Sequence, residues 1–229
     1  MTWSPLVEAL LLLIGGLVLA LILVEPDLGT ALTLGLVLVF MLFVAGAKWS
    51  HLAYMGLAAL PAVAFAVAGK EYRLRRLLSF LDPWQDASNS GFQIIQSYIA
   101  FGSGQLWGRG LGESRQKLHY LPEAHTDFIF SVIGEEMGLL GVLCVLGLFA
   151  VIIVRGLSLS GKLGDPFSQY LAFGLTTLLG LQALIHMGVV MGLMPTKGLV
   201  LPFISYGGSA MIMNLIEAGM LISLSRRRR

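Results

Sequence analysis

The sequence contains little charge. Only 12% of its 229 residues are Asp, Glu, Lys or Arg, and the formal net charge at pH 7 is +2. So small a net charge gives no indication of a nucleic-acid partner. Hydrophobic residues make up 56% of the chain and the mean hydropathy is +0.82, well above the range of soluble domains. The composition therefore predicts a membrane protein.

Cysteine is nearly absent as well. The one cysteine, Cys144, lies within an apolar run. This excludes a disulfide within the chain, CxxC redox chemistry and a cysteine-rich zinc site. Basic residues are missing before the first apolar run, which begins at Leu6, and no small-residue cleavage pattern follows it. We expect that run to be a membrane-spanning helix rather than a cleaved signal peptide.

Six apolar runs are long enough to cross a hydrocarbon core of about 30 Å at about 1.5 Å per residue. They cover residues 6–24, 28–46, 51–69, 128–154, 167–191 and roughly 200–224. Pro202, Gly207 and Gly208 interrupt the last run, which predicts that LPFISYGGSA enters the membrane as a broken or re-entrant segment. We therefore expect an all-α, polytopic membrane helical bundle, a single domain over residues 1–229 with six transmembrane helices.

The short loops divide the basic residues unequally. One set of loops and the C-terminus contain Lys48, Arg155, Lys162 and Arg226 to Arg229, whereas the opposite set contains only Lys197. The positive-inside rule therefore predicts cytoplasmic termini and places the long segment 70–126 outside the membrane.

The long extracytoplasmic loop, residues 70–126, contains two amphipathic segments. The first segment has leucines at helical spacing and a basic flank, and it ends at Asp82-Pro83. The leucines are Leu74, Leu77, Leu78 and Leu81, and the basic residues are Arg73, Arg75 and Arg76. This pattern is typical of a helix that lies on the membrane surface. The segment FQIIQSYIAF repeats it through Phe92, Ile95, Tyr98 and Ile99.

Three carboxylates stand where the fourth apolar run begins. Asp127 would occupy the first turn of that helix at its outer end, where the helix dipole favours the ionised form and partial desolvation opposes it. A helix-capping role for Asp127 is the alternative. Glu135 and Glu136 would lie roughly 12 to 14 Å deeper, so they must face the bundle interior or a wet cavity. A structural hydrogen-bonding role for these glutamates is as compatible with the pattern as a chemical one.

Other polar residues occupy predicted outer junctions or membrane spans. Asp27 either starts the second helix or contributes to a site, and Lys197 either reaches water or binds an anion. His125 is close enough in sequence to orient Asp127. His186, Asn214 and Glu217 lie inside apolar runs, where interhelical hydrogen bonding is the more frequent role.

Together these residues predict a cluster on the outer face that suits an anionic, lipid-linked substrate. A carboxylate would take a proton from an attacking hydroxyl, while cations or a bound metal would stabilise a departing diphosphate. The predicted cluster consists of Asp127, Asp27, His125, Lys197, Arg109, Arg115 and Lys117.

Five ordered motifs identify a family. EPDLGT, GESRQKLHYLP, LPEAHTDFIFSVIGEEMGLLG, PTKGL and LPFISYGGS closely resemble segments of the SEDS family of bacterial cell-wall polymerases, the FtsW/RodA/SpoVE proteins. The resemblance runs from about Val24 to the C-terminus, and PEAHTDFIF and SRQKL are more similar to the cell-division branch, FtsW, than to the elongation branch, RodA. Family members commonly have more spanning helices than are expected here, so the chain would correspond to their C-terminal portion.

The resemblance implies a peptidoglycan glycosyltransferase on the outer face of the bacterial cytoplasmic membrane. Its substrate would be lipid II, the undecaprenyl-diphosphate-linked disaccharide-pentapeptide. Asp127 matches the family's loop aspartate and would be the general base, while Asp27 and Lys197 would line the central cavity. Glu135 is a further candidate for substrate binding.

The implied partners are a class B penicillin-binding protein, which is a transpeptidase, and other cell-division proteins. The fourth and fifth helices correspond to the region that contacts the transpeptidase. A divalent cation, Mg²⁺ or Mn²⁺, is compatible with the resemblance, but the spacing of residues shows no ligand set for it.

Two other functions stay open. A lipid-linked oligosaccharide translocase is favoured by the intramembrane residues Glu135, Glu136, His186 and Glu217, which could mark a polar path. Such a translocase would move lipid II without forming polymer and would not need Asp127. A non-catalytic scaffold for a wall-synthesis enzyme would still support growth after Asp127→Asn.

Overall fold

The computed structural model describes residues 5–25, 27–89, 91–114, 123 and 125–226, with side chains described for all of these except residues 5–12, 62 and 66. All regular secondary structure in the described ranges is helical. The helices are α1 (Pro5–Val24), α2 (Leu28–Val44), α3 (Trp49–Ala68), α4 (Glu71–Leu81), α5 (Phe92–Gly104), α6 (Ile129–Ser160), α7 (Pro166–Val190) and α8 (Gly208–Arg226), with a short 3₁₀ helix at Pro83–Asp86. The prediction of an all-α membrane bundle is confirmed.

Each of the six apolar runs contains a helix. Within the described residues, α6, α7 and α8 are long and apolar enough to cross a membrane. Shorter apolar segments lie in α1, α2 and α3, at Leu13–Val24, Leu28–Val44 and Trp49–Phe65. The total of six spanning helices and the orientation of the chain stay predictions.

The centre of the bundle is the packing of α6 against α5 and α7. α2 packs against α1, α3 and α7, and α8 packs against α7. Phe130 on α6, Ala183 on α7 and Leu201 in the following connection share one buried apolar cluster. The connection between α7 and α8 therefore enters the core instead of running over the surface.

The predicted break in the last apolar run is confirmed, whereas its entry into the membrane stays a prediction. α8 begins only at Gly208, and the preceding residues form a tight turn in which the Leu201 N–H donates to Ser205 Oγ at 2.7 Å. The Leu201 carbonyl in turn accepts from the backbone N–H groups of Ile204 and Ser205. Non-helical backbone at membrane depth requires internal partners of this kind, because lipid offers none.

α4 confirms the first amphipathic segment of the long loop. The helix ends at Leu81, and the Asp82 carboxylate accepts from the Trp84 N–H at 3.1 Å to begin the 3₁₀ helix. The leucines that defined the predicted apolar face, Leu74, Leu77, Leu78 and Leu81, are exposed in this bundle.

α5 is helical as predicted, but the expectation that it lies on the membrane surface is wrong. Ile94 and Ala100 are 1% and 0% exposed, and the Ser97 hydroxyl donates to the Val190 carbonyl at 2.6 Å. Small residues allow this burial, because Gly104 approaches the Gly134 carbonyl so closely that a Cβ would collide with it. Helical spacing alone gave no sign of the α6 surface that receives this face.

α6 is broken near the two glutamates. Gly138 has φ 64° and ψ −161°, which interrupts the helix and frees the carbonyls of the preceding turn. The Glu135 and Glu136 carbonyls accept from the N–H groups of Arg109 and Gly110 at 2.9 and 3.0 Å.

The opposite side of the break is paired in the same way. The Leu139 and Leu140 N–H groups donate to the carbonyls of Gln105 and Leu106 at 2.9 and 3.4 Å. Residues 105–110 thus supply backbone partners for both ends of the interrupted α6.

Candidate functional site

Asp127 lies immediately outside the membrane-spanning part of α6. The helix begins at Ile129, and Phe128 is its N-terminal cap residue without a side-chain hydrogen bond. Asp127 is therefore not the capping side chain of α6, and its carboxylate is half-buried.

The charge state of Asp127 reflects this position. Burial raises the pKa of Asp127 above its ordinary value, and the nearby Glu123 carboxylate adds to this effect, whereas Arg76 opposes it. The Thr126 hydroxyl donates to Glu123 Oε2 at 2.9 Å, which holds the second carboxylate beside the first. A raised pKa makes the ionised carboxylate a stronger base than an exposed aspartate would be.

The PTKGL segment passes directly beside Asp127. A Cβ added to Gly198 would lie 3.1 Å from Asp127 Oδ2, so the glycine allows the carboxylate to approach the loop backbone. Gly29 of the EPDLGT motif likewise allows a close approach. A Cβ added there would lie 3.3 Å from both Asp27 Oδ1 and Lys197 Cδ. Three motifs that are far apart in sequence thus meet at one place.

A cavity of about 280 Å³ opens at this meeting point. We call it the basic cavity. Three cationic side chains line it, Arg73 and Arg76 from α4 and Lys197 from the PTKGL segment, together with Asp27. Its wall also includes apolar side chains from α2, α3 and α4, namely Leu32, Val63, Val67 and Leu77. The cavity therefore combines cationic side chains with an apolar wall.

The sequence did not single out Arg73 and Arg76 as members of the site. Both guanidinium groups lie over the ring of Tyr72, at 5.6 and 5.9 Å from its centroid. Arg75 faces away and pairs with Glu71 at 2.6 Å on the exposed side of the helix. The three-residue spacing of Arg73 and Arg76 was a usable signal, since residues at i and i+3 share one face of a helix.

Lys197 is half-buried in the wall of the basic cavity. Burial lowers the pKa of Lys197 below its ordinary value, and the Asp27 carboxylate opposes this shift. Asp27 also accepts from the Thr30 N–H at 2.9 Å and so caps α2. The helix-starting role raised for Asp27 is therefore confirmed, whereas its contribution to a functional site stays a prediction.

Glu135 and Arg109 lie in a separate network. Glu135 is 1% exposed and accepts from the Ser114 hydroxyl at 2.6 Å and the Ser103 hydroxyl at 3.3 Å. The Arg109 guanidinium is 3.7 Å from Glu135 Oε1. These contacts tie α5 and the segment after it to the break in α6, and a substrate-binding role for Glu135 and Arg109 stays a prediction.

His125 is exposed and lines a second cavity, of about 640 Å³, which we call the neutral cavity. It lies between the beginnings of α6 and α8, and Ile129, Tyr206 and Gly208 contribute to its wall. Arg115 and Lys117 lie outside the described residues, so their predicted contribution to the site is untested.

Polar groups also lie deep in the bundle. His186 Nδ1 is 2.6 Å from the Leu199 carbonyl, and since the carbonyl can only accept, Nδ1–H donates. Among the described residues, three buried side-chain atoms lack a hydrogen-bond partner: Gln182 Oε1, His186 Nε2 and Glu217 Oε2.

A metal-binding group is not visible in the described part of the chain. Within residues 5–25, 27–89, 91–114, 123 and 125–226, no three His, Cys, Asp or Glu side chains come together as a metal site would require. The predicted divalent cation therefore has no ligand set among these residues, and no step below uses one.

Comparison with known proteins gives consistent matches. Residues 3–229 match the FTSW_RODA_SPOVE family, described as "Cell cycle protein". The "Probable peptidoglycan glycosyltransferase FtsW" of Geobacter sulfurreducens is 52% identical over 210 residues, which cover 92% of this chain and 56% of that protein. The protein of the same name from Legionella pneumophila is 47% identical over 212 residues, covering 91% of this chain and 54% of that one.

Solved structures agree in fold. A structure described as "Structural coordination of polymerization and crosslinking by a peptidoglycan synthase complex" has a TM-score of 0.76 and 32% identity, covering 96% of this chain and 62% of that one. The rod shape determining protein RodA of Thermus thermophilus has a TM-score of 0.67 and 30% identity, with 100% and 59% covered. The chain thus spans little more than half the length of its relatives.

Proposed function

Starting from the fact that this chain belongs to the FtsW/RodA/SpoVE family of cell cycle proteins, we propose that it carries the catalytic base of a peptidoglycan glycosyltransferase. The substrate is lipid II, and the reaction takes place at the extracytoplasmic face of the bacterial cytoplasmic membrane. The relatives named peptidoglycan glycosyltransferases support the activity.

One observation carries the proposal for Asp127. Its carboxylate is half-buried beside Gly198, at the edge of a cavity that three cationic side chains line. A general base must be within reach of the attacking hydroxyl and benefits from a raised pKa, which burial supplies here, and positive charge stabilises a diphosphate leaving group. Asp127 at the edge of the basic cavity would be the base, and the three cations that line the cavity would supply the positive charge.

The proposed step transfers one glycan unit. Asp127 accepts the proton of the GlcNAc 4-hydroxyl of one substrate while that oxygen forms a bond to the anomeric carbon of the other. The bond from the anomeric carbon to the diphosphate oxygen breaks, and undecaprenyl diphosphate leaves with the electron pair. Arg73, Arg76 and Lys197 stabilise the negative charge that develops on the diphosphate.

The two pKa shifts imply a bell-shaped dependence of the rate on pH. Protonation of Asp127 stops the reaction on the acid side, and because its pKa is raised, this limb begins at higher pH than an ordinary aspartate would give. Deprotonation of Lys197 removes a cation on the alkaline side, and because its pKa is lowered, that limb begins at lower pH than an ordinary lysine would give.

The partners belong to the same proposal. A neighbouring structure concerns a peptidoglycan synthase complex for polymerization and crosslinking, which supports a class B penicillin-binding protein as the partner of this chain. α6 and α7 are the proposed contact region, and α6 exposes apolar side chains such as Leu140, Leu148 and Val151. Other cell-division proteins and Mg²⁺ or Mn²⁺ are further proposals, the cation being tested by adding a chelator to the assay.

The test uses the protein that carries this chain, in complex with its transpeptidase and supplied with purified lipid II. Asp127→Asn should form no glycan strands above background, whereas Arg75→Ala, on the exposed side of α4, should polymerise at the rate of the unchanged protein. Normal polymerisation by Asp127→Asn would refute the proposed base. Transport of labelled lipid II across liposomes without polymer would establish a translocase instead. Normal growth of cells carrying only Asp127→Asn, with neither polymer nor transport in the assays, would support a scaffold.

A further inference from the structure

Two cavities flank the segment that carries Asp127. The Asp127 carboxylate is beside Gly198, which lines the basic cavity. His125 and Ile129, two residues to either side, line the neutral cavity. The base is therefore beside a residue that lines the basic cavity and two residues from each of two that line the neutral cavity.

Two hydrogen bonds to backbone carbonyls hold the segment just before Asp127 against residues that line the neutral cavity. The Tyr206 N–H donates to the His125 carbonyl at 2.9 Å. The Ser205 hydroxyl donates to the Thr126 carbonyl at 2.7 Å and also accepts from the Leu201 N–H. Ser205 and Tyr206, which line the neutral cavity, thus hold residues 125–126, next to the base, in place.

The lining of the neutral cavity differs in chemistry from that of the basic cavity. Its described lining residues include no Lys, Arg, Asp or Glu, but they include the imidazole of His125, the phenol of Tyr206 and the apolar side chains of Ile129 and Met211. Tyr206 is 80% exposed, so its ring is available to a ligand. The polar groups of His125 and Tyr206 can form hydrogen bonds, and they lie beside an exposed aromatic ring and apolar side chains. Such a surface suits an uncharged sugar rather than a diphosphate.

The reaction under "Proposed function" needs two sugars at one base. We propose that the neutral cavity binds the acceptor, the GlcNAc end whose 4-hydroxyl attacks, while the basic cavity binds the diphosphate of the donor. This inference rests on the proposed function and extends it by assigning a separate place to each substrate.

The assignment follows from charge and from the path of the proton. The donor loses a diphosphate, so it must lie where Arg73, Arg76 and Lys197 can hold the departing charge. The acceptor reacts through a neutral hydroxyl and loses only a proton, which passes to Asp127. The new bond joins the acceptor oxygen to the donor anomeric carbon beside Asp127, and the diphosphate leaves into the basic cavity with the electron pair of the broken bond.

Gly208 provides a way to fill the neutral cavity. Gly208 lines the neutral cavity, and a Cβ added there would meet no heavy atom within 4 Å, so a side chain can begin at this position without a clash. Gly219, on the same helix, has equally open surroundings but does not line either cavity, which makes it a matched control.

The experiment measures a single transfer between two substrates that cannot exchange roles. The donor is lipid II whose 4-hydroxyl is capped, and the acceptor is a lipid II analogue with a non-cleavable carbon linkage in place of the anomeric C–O bond. Each concentration is varied in turn with the protein and its transpeptidase partner. Tyr206→Ala and Gly208→Leu should raise the acceptor concentration for half-maximal rate about tenfold, and leave that of the donor unchanged.

Three further variants decide the interpretation. Arg76→Ala should raise the half-maximal donor concentration and leave that of the acceptor unchanged. Gly219→Leu, and Tyr54→Ala at a tyrosine that is 70% exposed on α3, should change neither. If Tyr206→Ala and Gly208→Leu raise the donor concentration instead, or change nothing while transfer still needs Asp127, the acceptor site is refuted and the proposed function stands. If Asp127→Asn transfers normally, the proposed function itself fails.

Discussion

Asp127 and Glu135 are carboxylates eight residues apart in one stretch of sequence, and the structure gives them opposite surroundings. Glu135 is 1% exposed and has two serine hydroxyls and a guanidinium around it. Asp127 is half-buried at the edge of a cavity, beside a glycine and within reach of a cluster of cations. Full burial with complete hydrogen bonding is typical of a structural charge, whereas partial burial next to open space leaves a carboxylate available for chemistry.

The largest effects on rate and stability are expected when each of the two carboxylates is replaced by its amide. Asp127→Asn should lower the polymerisation rate by about 10²- to 10⁴-fold, the usual contribution of a general base, with an unchanged melting temperature in detergent. Glu135→Gln should lower the melting temperature, because the amide puts a donor where a hydroxyl now donates.

Rates are measured with lipid II, and melting temperatures by thermal unfolding of the same preparations. A Glu135→Gln protein that is fully stable but inactive would overturn the division into a structural and a chemical carboxylate.

The second effect concerns the break in α6 that accompanies Glu135. Gly138→Ala should destabilise the protein by about 3 kcal/mol, because the positive φ disfavours an L side chain and a Cβ would collide with the backbone nitrogen of Gly108. Gly147→Ala, further along the same helix, should be neutral or stabilising by up to about 1 kcal/mol, since its Cβ would meet nothing within 4 Å.

Thermal unfolding of the two alanine variants side by side measures this difference. Equal melting temperatures would show that the break at Gly138 does not constrain the chain.

A smaller effect is expected from the partners of Glu135. Ser114→Ala removes the hydroxyl that donates to Glu135 Oε2 at 2.6 Å, and leaving that oxygen without this partner should cost about 2 kcal/mol. Ser225→Ala, at an exposed hydroxyl that donates only to the carbonyl three residues before it, should change the stability by less than about 0.5 kcal/mol.

Unfolding in detergent is again the measurement. If Ser114→Ala is as stable as Ser225→Ala, the hydrogen bond from Ser114 to Glu135 does not stabilise the protein, and the backbone hydrogen bonds alone stabilise this region.

The smallest effect concerns the pH dependence around Asp127. Arg76 lowers the pKa of Asp127, so Arg76→Gln should move the acid limb of the pH–rate profile to higher pH. Glu123 raises the pKa of Asp127, so Glu123→Gln should move the same limb to lower pH.

The acid limb is measured at saturating lipid II for both variants and for Arg75→Gln, which should leave it in place. Shifts of the same sign in Arg76→Gln and Glu123→Gln would exclude Asp127 as the group that titrates there.

The sequence predicted the parts of this molecule that depend on local patterns. Leucine spacing and Asp82-Pro83 predicted α4 and its end, and Pro202, Gly207 and Gly208 predicted the break in the last apolar run. Predicted positions on the outer face and the family resemblance grouped Asp27, Asp127 and Lys197 in one predicted site, and the structure places all three at or beside the basic cavity.

Features that depend on tertiary contacts were beyond local patterns. The burial of α5 depends on Gly104 meeting Gly134 on another helix, and the break in α6 depends on partners near Gly108, about 30 residues earlier in the chain. Arg73 and Arg76 belong to the site only because α4 is folded back beside the PTKGL segment.

The backbone pairing at the break in α6 also limits how the chain length can vary. Within residues 105–110, successive residues form backbone hydrogen bonds with successive residues of α6 on both sides of Gly138. Removing or adding one amino acid in that stretch would shift its pairs out of register and leave amide groups at the break without their partners. Natural variants should therefore keep the spacing from Gly104 to Gly110 constant and place any insertions in other parts of the chain.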